Sequence, residues 1–314
     1  MNKPDFSGLR LMVIGDVILD KFIYTTNNRM SPEHPVPVYD IIKTKTYPGG
    51  AANVAANILA LGAQVDLVSI LGVDTAAEEL YQLLRELNCS VNNVLKDTSR
   101  KTTVKSRIFC DDEPISRIDD EKAEDICNNL ETQVLERSRE LIKTQVIDGI
   151  ILQDYNKGVL TEYLIAKVME IAKKHEIPVF VDPKTKNYSA YAGARVFKPN
   201  LNEISDYLGK KPIIALKSLA QADHKLRTYV EYDTLVLTLS EKGAYFSNLE
   251  ESGVISTQSI PNADVCGAGD SFIAALSLCI CSKLTISESI TIANRVSGVV
   301  CGKSGVQTCN KSEY

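Results

Sequence analysis

Asp270 closes the run DVCGAGDSF (264–272), in which Gly267, Ala268 and Gly269 stand directly before an acidic residue and an apolar stretch. A glycine turn that feeds a helix N-terminus presents bare backbone N–H groups, which is an anion site. An aspartate beside that anion suits phosphoryl transfer, where a base accepts a hydroxyl proton while N–H dipoles hold the migrating group. A second glycine pair, Gly49-Gly50 in YPGGAANVAANILALG (47–62), precedes a helical run with Asn53 and Asn57 on one face. Small residues let another group approach the backbone closely, and Asn53 can both donate to and accept from a hydroxyl. Two look-alikes drop out. SGVVCGKSG (297–305) has Ser297 where a P-loop needs glycine, and it follows a helical run rather than a strand. GAGDSF has no third glycine and does not follow the first strand, so it is no dinucleotide fingerprint.

These residues need a scaffold, and the apolar pattern supplies one. RLMVIGD, QVDLVSILG, VIDGIILQD, IPVFVDP, ARVFKPN and DTLVLTL read as short buried strands. AANVAANILALG, TAAEELYQLLRELN, TEYLIAKVMEIAKKH, NEISDYLG and PIIALKSLAQADHKLRTYV carry helical spacing, and the C-terminal end is mostly helical. Strands separated by helices predict parallel βαβ units with helices on both faces of the sheet, an α/β fold. Ligands of such sheets lie at the carboxyl ends of the strands, where Asp16, Asp154, Asp182 and Asn200 fall. Residues 22–48 and 100–120 break the pattern. They are β-branched, partly alternating and free of helical period, so they predict hairpins standing off the main sheet. One domain, 1–314, with a small β appendage is the expectation.

Composition narrows the function. The net charge of −5 argues against general nucleic-acid binding. No stretch approaches the ~20 apolar residues that cross a bilayer, and the N-terminus has no signal-peptide core, so a cytoplasmic protein is expected. The eight cysteines are scattered without a C-x-x-C pair, which fits reduced thiols rather than zinc or disulfides.

In order, the chain presents GD-x3-D (15–20), PGGAANVA (48–55), DPK (182–184), KPNLNE (198–203), TLSEKGAY (238–245) and DVCGAGDSF. Together these resemble the ribokinase-like (PfkB) family of carbohydrate kinases, with matches spread from residue 15 to about 305. MSPEHPVPVYDI (30–41) is similar to sequence typical of the family's D-glycero-β-D-manno-heptose-7-phosphate kinases. The resemblance implies a three-layer α/β/α domain with a mostly parallel sheet and a small β lid, formed by about 20–47 and 101–120. It implies transfer of the ATP γ-phosphoryl to O1 of heptose 7-phosphate, giving the 1,7-bisphosphate for nucleotide-activated heptose and lipopolysaccharide precursors. Members are often fused to a nucleotidyltransferase; a chain ending at Tyr314 looks like the kinase alone. The alternatives are a kinase for another sugar or sugar phosphate of fructose or ribose type, and a non-catalytic sugar-binding protein.

On the same resemblance, Asp270 is the base and Gly267, Ala268 and Gly269 form the anion hole. Asp16, Asp20, Gly49, Gly50 and Asn53 hold the sugar. Asn200 and Glu203 organise Mg2+ and the triphosphate, Glu203 through water, with Thr238, Ser240, Lys242 and Gly243 on the nucleotide side. Asp264 is a candidate holder of a monovalent cation such as K+. Cys266 stands where the family usually has threonine, which puts any role of that hydroxyl in doubt. A phosphorylated sugar also needs cations near its far end, and arginine binds phosphate through its fork. Lys105, Arg107 and Arg117 share parity and would share a face if both segments are strands; Arg107 or Arg117 with Lys184 is the expected clamp. A homodimer through the β lid is expected, because exposed hairpin edges invite pairing.

Overall fold

A computed structural model describes residues 3–314. The chain opens with β1 (Arg10–Gly15), β2 (Val17–Met30), β3 (Pro37–Gly50), α1 (Ala51–Ala60), β4 (Gln64–Leu71) and α2 (Thr75–Glu86). Next come β5 (Val94–Lys96), β6 (Thr103–Cys110), β7 (Glu113–Asp120) and α3 (Asn128–Thr144). The alternation resumes with β8 (Gly149–Gln153), α4 (Glu162–Lys174), β9 (Val179–Asp182), β10 (Ala194–Phe197), α5 (Leu201–Leu208), α6 (Leu216–Leu226) and β11 (Tyr232–Thr238). The final elements are β12 (Ala244–Ser247), β13 (Ser252–Ile255), α7 (Ala268–Cys281) and α8 (Ile286–Cys301).

Nine strands form the large sheet in the order β13-β12-β11-β10-β9-β8-β1-β4-β5. From β11 to β5 every pairing is parallel, and β12 and β13 add an antiparallel edge. Alternation along β1 divides the core. Leu11 and Val13 pack into one buried cluster with α1, α2, α7 and α8, while Met12 and Ile14 enter the other with α3 to α6. Burial on both faces is what the unbroken apolar strands required. The chain leaves β1 toward β4 on one side and later returns with β8 on the other. The strand order therefore reverses beside β1, and a crevice opens at the carboxyl ends there.

The two stretches without helical period form a separate sheet in the order β3-β2-β6-β7. Each is an antiparallel hairpin, and the hairpins meet through a parallel β2–β6 pair. The register sets Asp20 opposite Lys105, Phe22 opposite Arg107, and Arg107 opposite Arg117. Lys105, Arg107 and Arg117 therefore share one face with Asp20, as their parity predicts. The β12–β13 pair and α3 were not among the sequence expectations. β12 starts within the last two residues of TLSEKGAY, where the preceding glycine and charged residues mask a four-residue strand.

Candidate active site

α7 begins where Gly267 turns left-handed at φ 78°. A Cβ on Gly267 would stand 2.6 Å from Asn53 Nδ2, so the position demands glycine for space as well as for backbone angle. The N–H of Ala268 donates to Val265 O at 3.2 Å. Among the described residues, the N–H groups of Gly267, Gly269 and Asp270 have no acceptor, as expected for the first turn of a helix. These three, with the positive end of the helix dipole, are free donors of the kind that can hold an anion. The Ala268 N–H is already bonded within the turn.

Asp270 lies on that first turn, 3% exposed. Its Oδ2 accepts from Asn53 Nδ2 at 2.8 Å, and its Oδ1 accepts from the Tyr155 hydroxyl at 2.8 Å and Gln153 Nε2 at 3.2 Å. Asn57 Nδ2 donates to Asn53 Oδ1 at 3.1 Å and so turns the Asn53 amide with its NH2 toward Asp270. Burial raises the Asp270 carboxyl to about 7, with the neighbouring carboxylates of Asp182 and Asp20 pushing the same way. Such a group accepts a proton readily near neutrality.

On one side of Asp270 lies the face of the small sheet. Asp20 Oδ1 accepts from Arg107 at 2.5 Å, and the guanidinium rests over the Phe22 ring. A Cβ at Gly49 would stand 2.0 Å from Asp20 Oδ2, so the first glycine of the pair makes room for this carboxylate. Gly50 is buried at the end of β3 and leads into α1. Arg117 is exposed and forked onto Asp119, at 2.8 and 2.5 Å. Lys105 is half-buried on the same face and has no ion-pair partner among the described residues.

Asp16 is 1% exposed, and its carboxylate accepts from the backbone N–H groups of Tyr155, Lys157 and Val159 at 2.9, 3.0 and 3.0 Å. Buried loop N–H groups must find acceptors, and Asp16 supplies them. It straps the loop after β8 from a buried position, whereas Asp20 stands on the face of the small sheet.

On the other side of Asp270 is a cavity of about 600 Å3, lined by Lys184, Asn200, Glu203, Thr238, Ser240 and Gly243 among others. Asn200 and Glu203 form a reciprocal capping box at the start of α5. Glu203 also pairs with Lys184. Lys184 thus sits on the wall of this cavity with Glu203, while Arg107 pairs with Asp20 on the small sheet. Lys242 is exposed in the turn 240–242 and does not line the cavity. The unexpected wall comes from α8, where Ser297, Gly298 and Cys301 of the rejected P-loop look-alike face the cavity. Asp264 accepts from Cys266 N–H at 3.1 Å and Gly305 N–H at 2.8 Å, bracing the turn ahead of Gly267. Burial pushes the Cys266 thiol up to about 12, so it is protonated at neutral pH and no nucleophile.

Two residues outside the expected set complete the site. Lys198 is 2% exposed, its Nζ lies 3.0 Å from Asp182 Oδ1, and it would stand 3.9 Å from a Cβ on Gly269. It is a buried cation beside the anion hole. Gln153 bridges Asp182 and Asp270 through its NH2 group, at 3.0 and 3.2 Å. Gln153 ends β8 and Lys198 directly follows β10, close to the strand-end positions Asp154 and Asn200.

A glycine-turn anion hole, a buried aspartate behind it and a detached β face on an α/β sheet define a phosphotransferase acting on a sugar hydroxyl. Residues 9–313 match the pfkB family of carbohydrate kinases, and the chain belongs to that family. It is 35% identical over 306 residues to the bifunctional protein HldE of Aliarcobacter butzleri, covering 96% of this chain and 63% of that protein. With the bifunctional protein HldE of Sulfurimonas denitrificans it shares 37% identity over 304 residues, 97% of this chain and 63% of the relative. The chain thus spans less than two thirds of the length of these relatives. Phosphofructokinase-2 from Escherichia coli in complex with potassium superposes with a TM-score of 0.79 at 18% identity, covering 97% and 96% of the two chains. Arabidopsis thaliana ribokinase complexed with ribose and ATP gives 0.75 at 17%, covering 97% of each chain. These structures share the fold.

Proposed function

We propose that this carbohydrate kinase transfers the γ-phosphoryl of ATP to O1 of D-glycero-D-manno-heptose 7-phosphate, a step toward nucleotide-activated heptose. The observation that carries the kinase chemistry is Asp270, buried on the first turn of α7 between the small-sheet face and the cavity lined by Asn200 and Glu203. Asp270 accepts the proton of the attacking hydroxyl as that oxygen bonds to the γ-phosphorus and the bond to the β,γ-bridging oxygen breaks. The N–H groups of Gly267, Gly269 and Asp270, with Lys198, face the charge that develops on the transferring group. Asn53 and Gln153 hold the base in place. Glu203, its carboxylate shared with the Asn200 N–H and Lys184, would meet a Mg2+ through water, which suits an ion that keeps waters and phosphate oxygens as ligands. Asn200 fixes the carboxylate through the capping box. That ion would neutralise charge on the β- and γ-phosphates. A monovalent cation under the turn would share Asp264 with the N–H groups that it already accepts.

The heptose reading rests on MSPEHPVPVYDI and on the cations of the small-sheet face. Lys105, Arg107 and Arg117 lie on the sugar side, and Lys184 is reassigned to the triphosphate through its pairing with Glu203. ADP release, measured by a coupled assay over a panel of sugars and sugar phosphates, should be fastest with heptose 7-phosphate. Arg107→Ala should raise KM for that sugar by about 10-fold or more and leave KM for ATP nearly unchanged. A preference for an unphosphorylated sugar, or for fructose 6-phosphate, would replace the substrate.

A homodimer fits the outer face of the small sheet. Ile41 and Ile118 are 66% and 57% exposed there, on the face opposite to Asp20 and Arg107. Exposed apolar residues on a two-edged sheet favour pairing with a second copy. Light scattering should give twice the 34.5 kDa chain mass, and Ile118→Lys should shift the protein toward monomer.

A further inference from the structure

Tyr155 lies outside every motif in the sequence, yet its hydroxyl holds Oδ1 of Asp270 at 2.8 Å. With Gln153 as the second donor, both lone-pair positions of that oxygen are taken. Of the three side chains that donate to Asp270, Asn53 and Gln153 are 1% exposed and are each tied to a second side chain, Asn57 and Asp182. Tyr155 is only half-buried, and two lysine ammonium groups stand close to its ring. Lys105 Nζ on the small sheet is 5.0 Å from the ring centroid, and Lys184 Nζ on the cavity side is 5.6 Å. The ring therefore stands on the boundary between the two halves of the site. Its backbone is fixed, because the Tyr155 N–H and two further N–H groups of the loop bind Asp16. Movement of the hydroxyl is thus a side-chain rotation, fast compared with turnover.

We propose that Tyr155 gates the catalytic base: its hydroxyl keeps Oδ1 of Asp270 from water, and the acceptor hydroxyl of the sugar takes its place. This rests on the reading of Asp270 as the base. Unguarded, Asp270 would accept a proton from water while the water oxygen bonds to the γ-phosphorus. The bond to the β,γ-bridging oxygen would break, giving ADP and inorganic phosphate without any sugar. The gate therefore lowers wasteful hydrolysis, and it weakens apparent sugar affinity because the sugar must displace the tyrosine.

Tyr155→Phe removes the hydroxyl and keeps the ring beside its two lysines. ADP release without sugar should rise by about tenfold, the scale of one hydrogen bond to a carboxylate. KM for the sugar should fall while KM for ATP stays, which a loosened site would not produce. Tyr155→Leu, read for the same ratio of hydrolysis to transfer, serves if the phenylalanine variant is unstable. Hydrolysis that is unchanged, or that falls in step with sugar transfer, overturns the gate. Asp270→Asn run in parallel separates the two readings. Sustained transfer in that variant removes the base itself, whereas an inactive Asp270→Asn beside an unaltered ratio in Tyr155→Phe removes only the gate.

Discussion

Asp270→Asn should lower kcat by about 10²-fold or more, the usual loss when a general base is removed, with little change in sugar KM. The amide keeps the size of the side chain, so Asn53, Gln153 and Tyr155 retain a neighbour of the same shape. What disappears is the group that takes the hydroxyl proton. The pH profile carries the same assignment. Burial of Asp270, opposed by the Asn53 hydrogen bond and assisted by Asp182, raises its carboxyl to about 7. A base works only when ionised, so kcat/KM should fall by about tenfold per pH unit below that value and level off above it. Wild-type turnover in Asp270→Asn, or a flat profile down to about pH 5, would remove Asp270 from the reaction.

Lys198→Met should reduce both stability and turnover. Lys198 and Asp182 form a buried pair at 3.0 Å, the lysine 2% exposed. Deleting the cation leaves a partly buried carboxylate without its counter-charge, a change that costs at most about 3–5 kcal/mol, the scale of a fully buried pair. The same deletion removes positive charge beside the anion hole, where one lost stabilising contact lowers kcat by about 10²–10³-fold. The two effects separate in a double variant. Adding Asp182→Asn neutralises the stranded carboxylate, so thermal stability should largely return while kcat stays low. Recovery of kcat together with stability would make Lys198 a structural cation only.

The parts of this site that lie close together along the chain are legible in the residues themselves. The glycine turn and Asp270 form one local unit, and so do Gly49, Gly50 and Asn53, because a turn and the first turn of its helix are set by neighbouring residues. Alternation along one strand puts Lys105 and Arg107 on one face whatever the strand pairs with, whereas Arg117 joins them only through the β6–β7 register that sets it opposite Arg107. The α/β class follows from period alone. The bonding of Asp16 is not legible in the sequence, because its type and strand-end position suit a sugar ligand and a backbone strap equally well. Its partners, three N–H groups of the loop at 155–159, are 139 residues or more away in sequence.

The sequence by itself determined the α/β alternation, the anion-binding turn and the aspartate placed behind it, because each depends on contacts within a few residues. Only the tertiary structure decided which charges meet. It set Lys184 on Glu203, buried Lys198 against Asp182, and brought Gln153 and Tyr155 onto Asp270 from the end of β8, far along the chain. Coulomb and hydrogen-bond interactions act over a few ångströms of space. Sequence spacing carries no such distance once two residues stand on different strands of the same sheet.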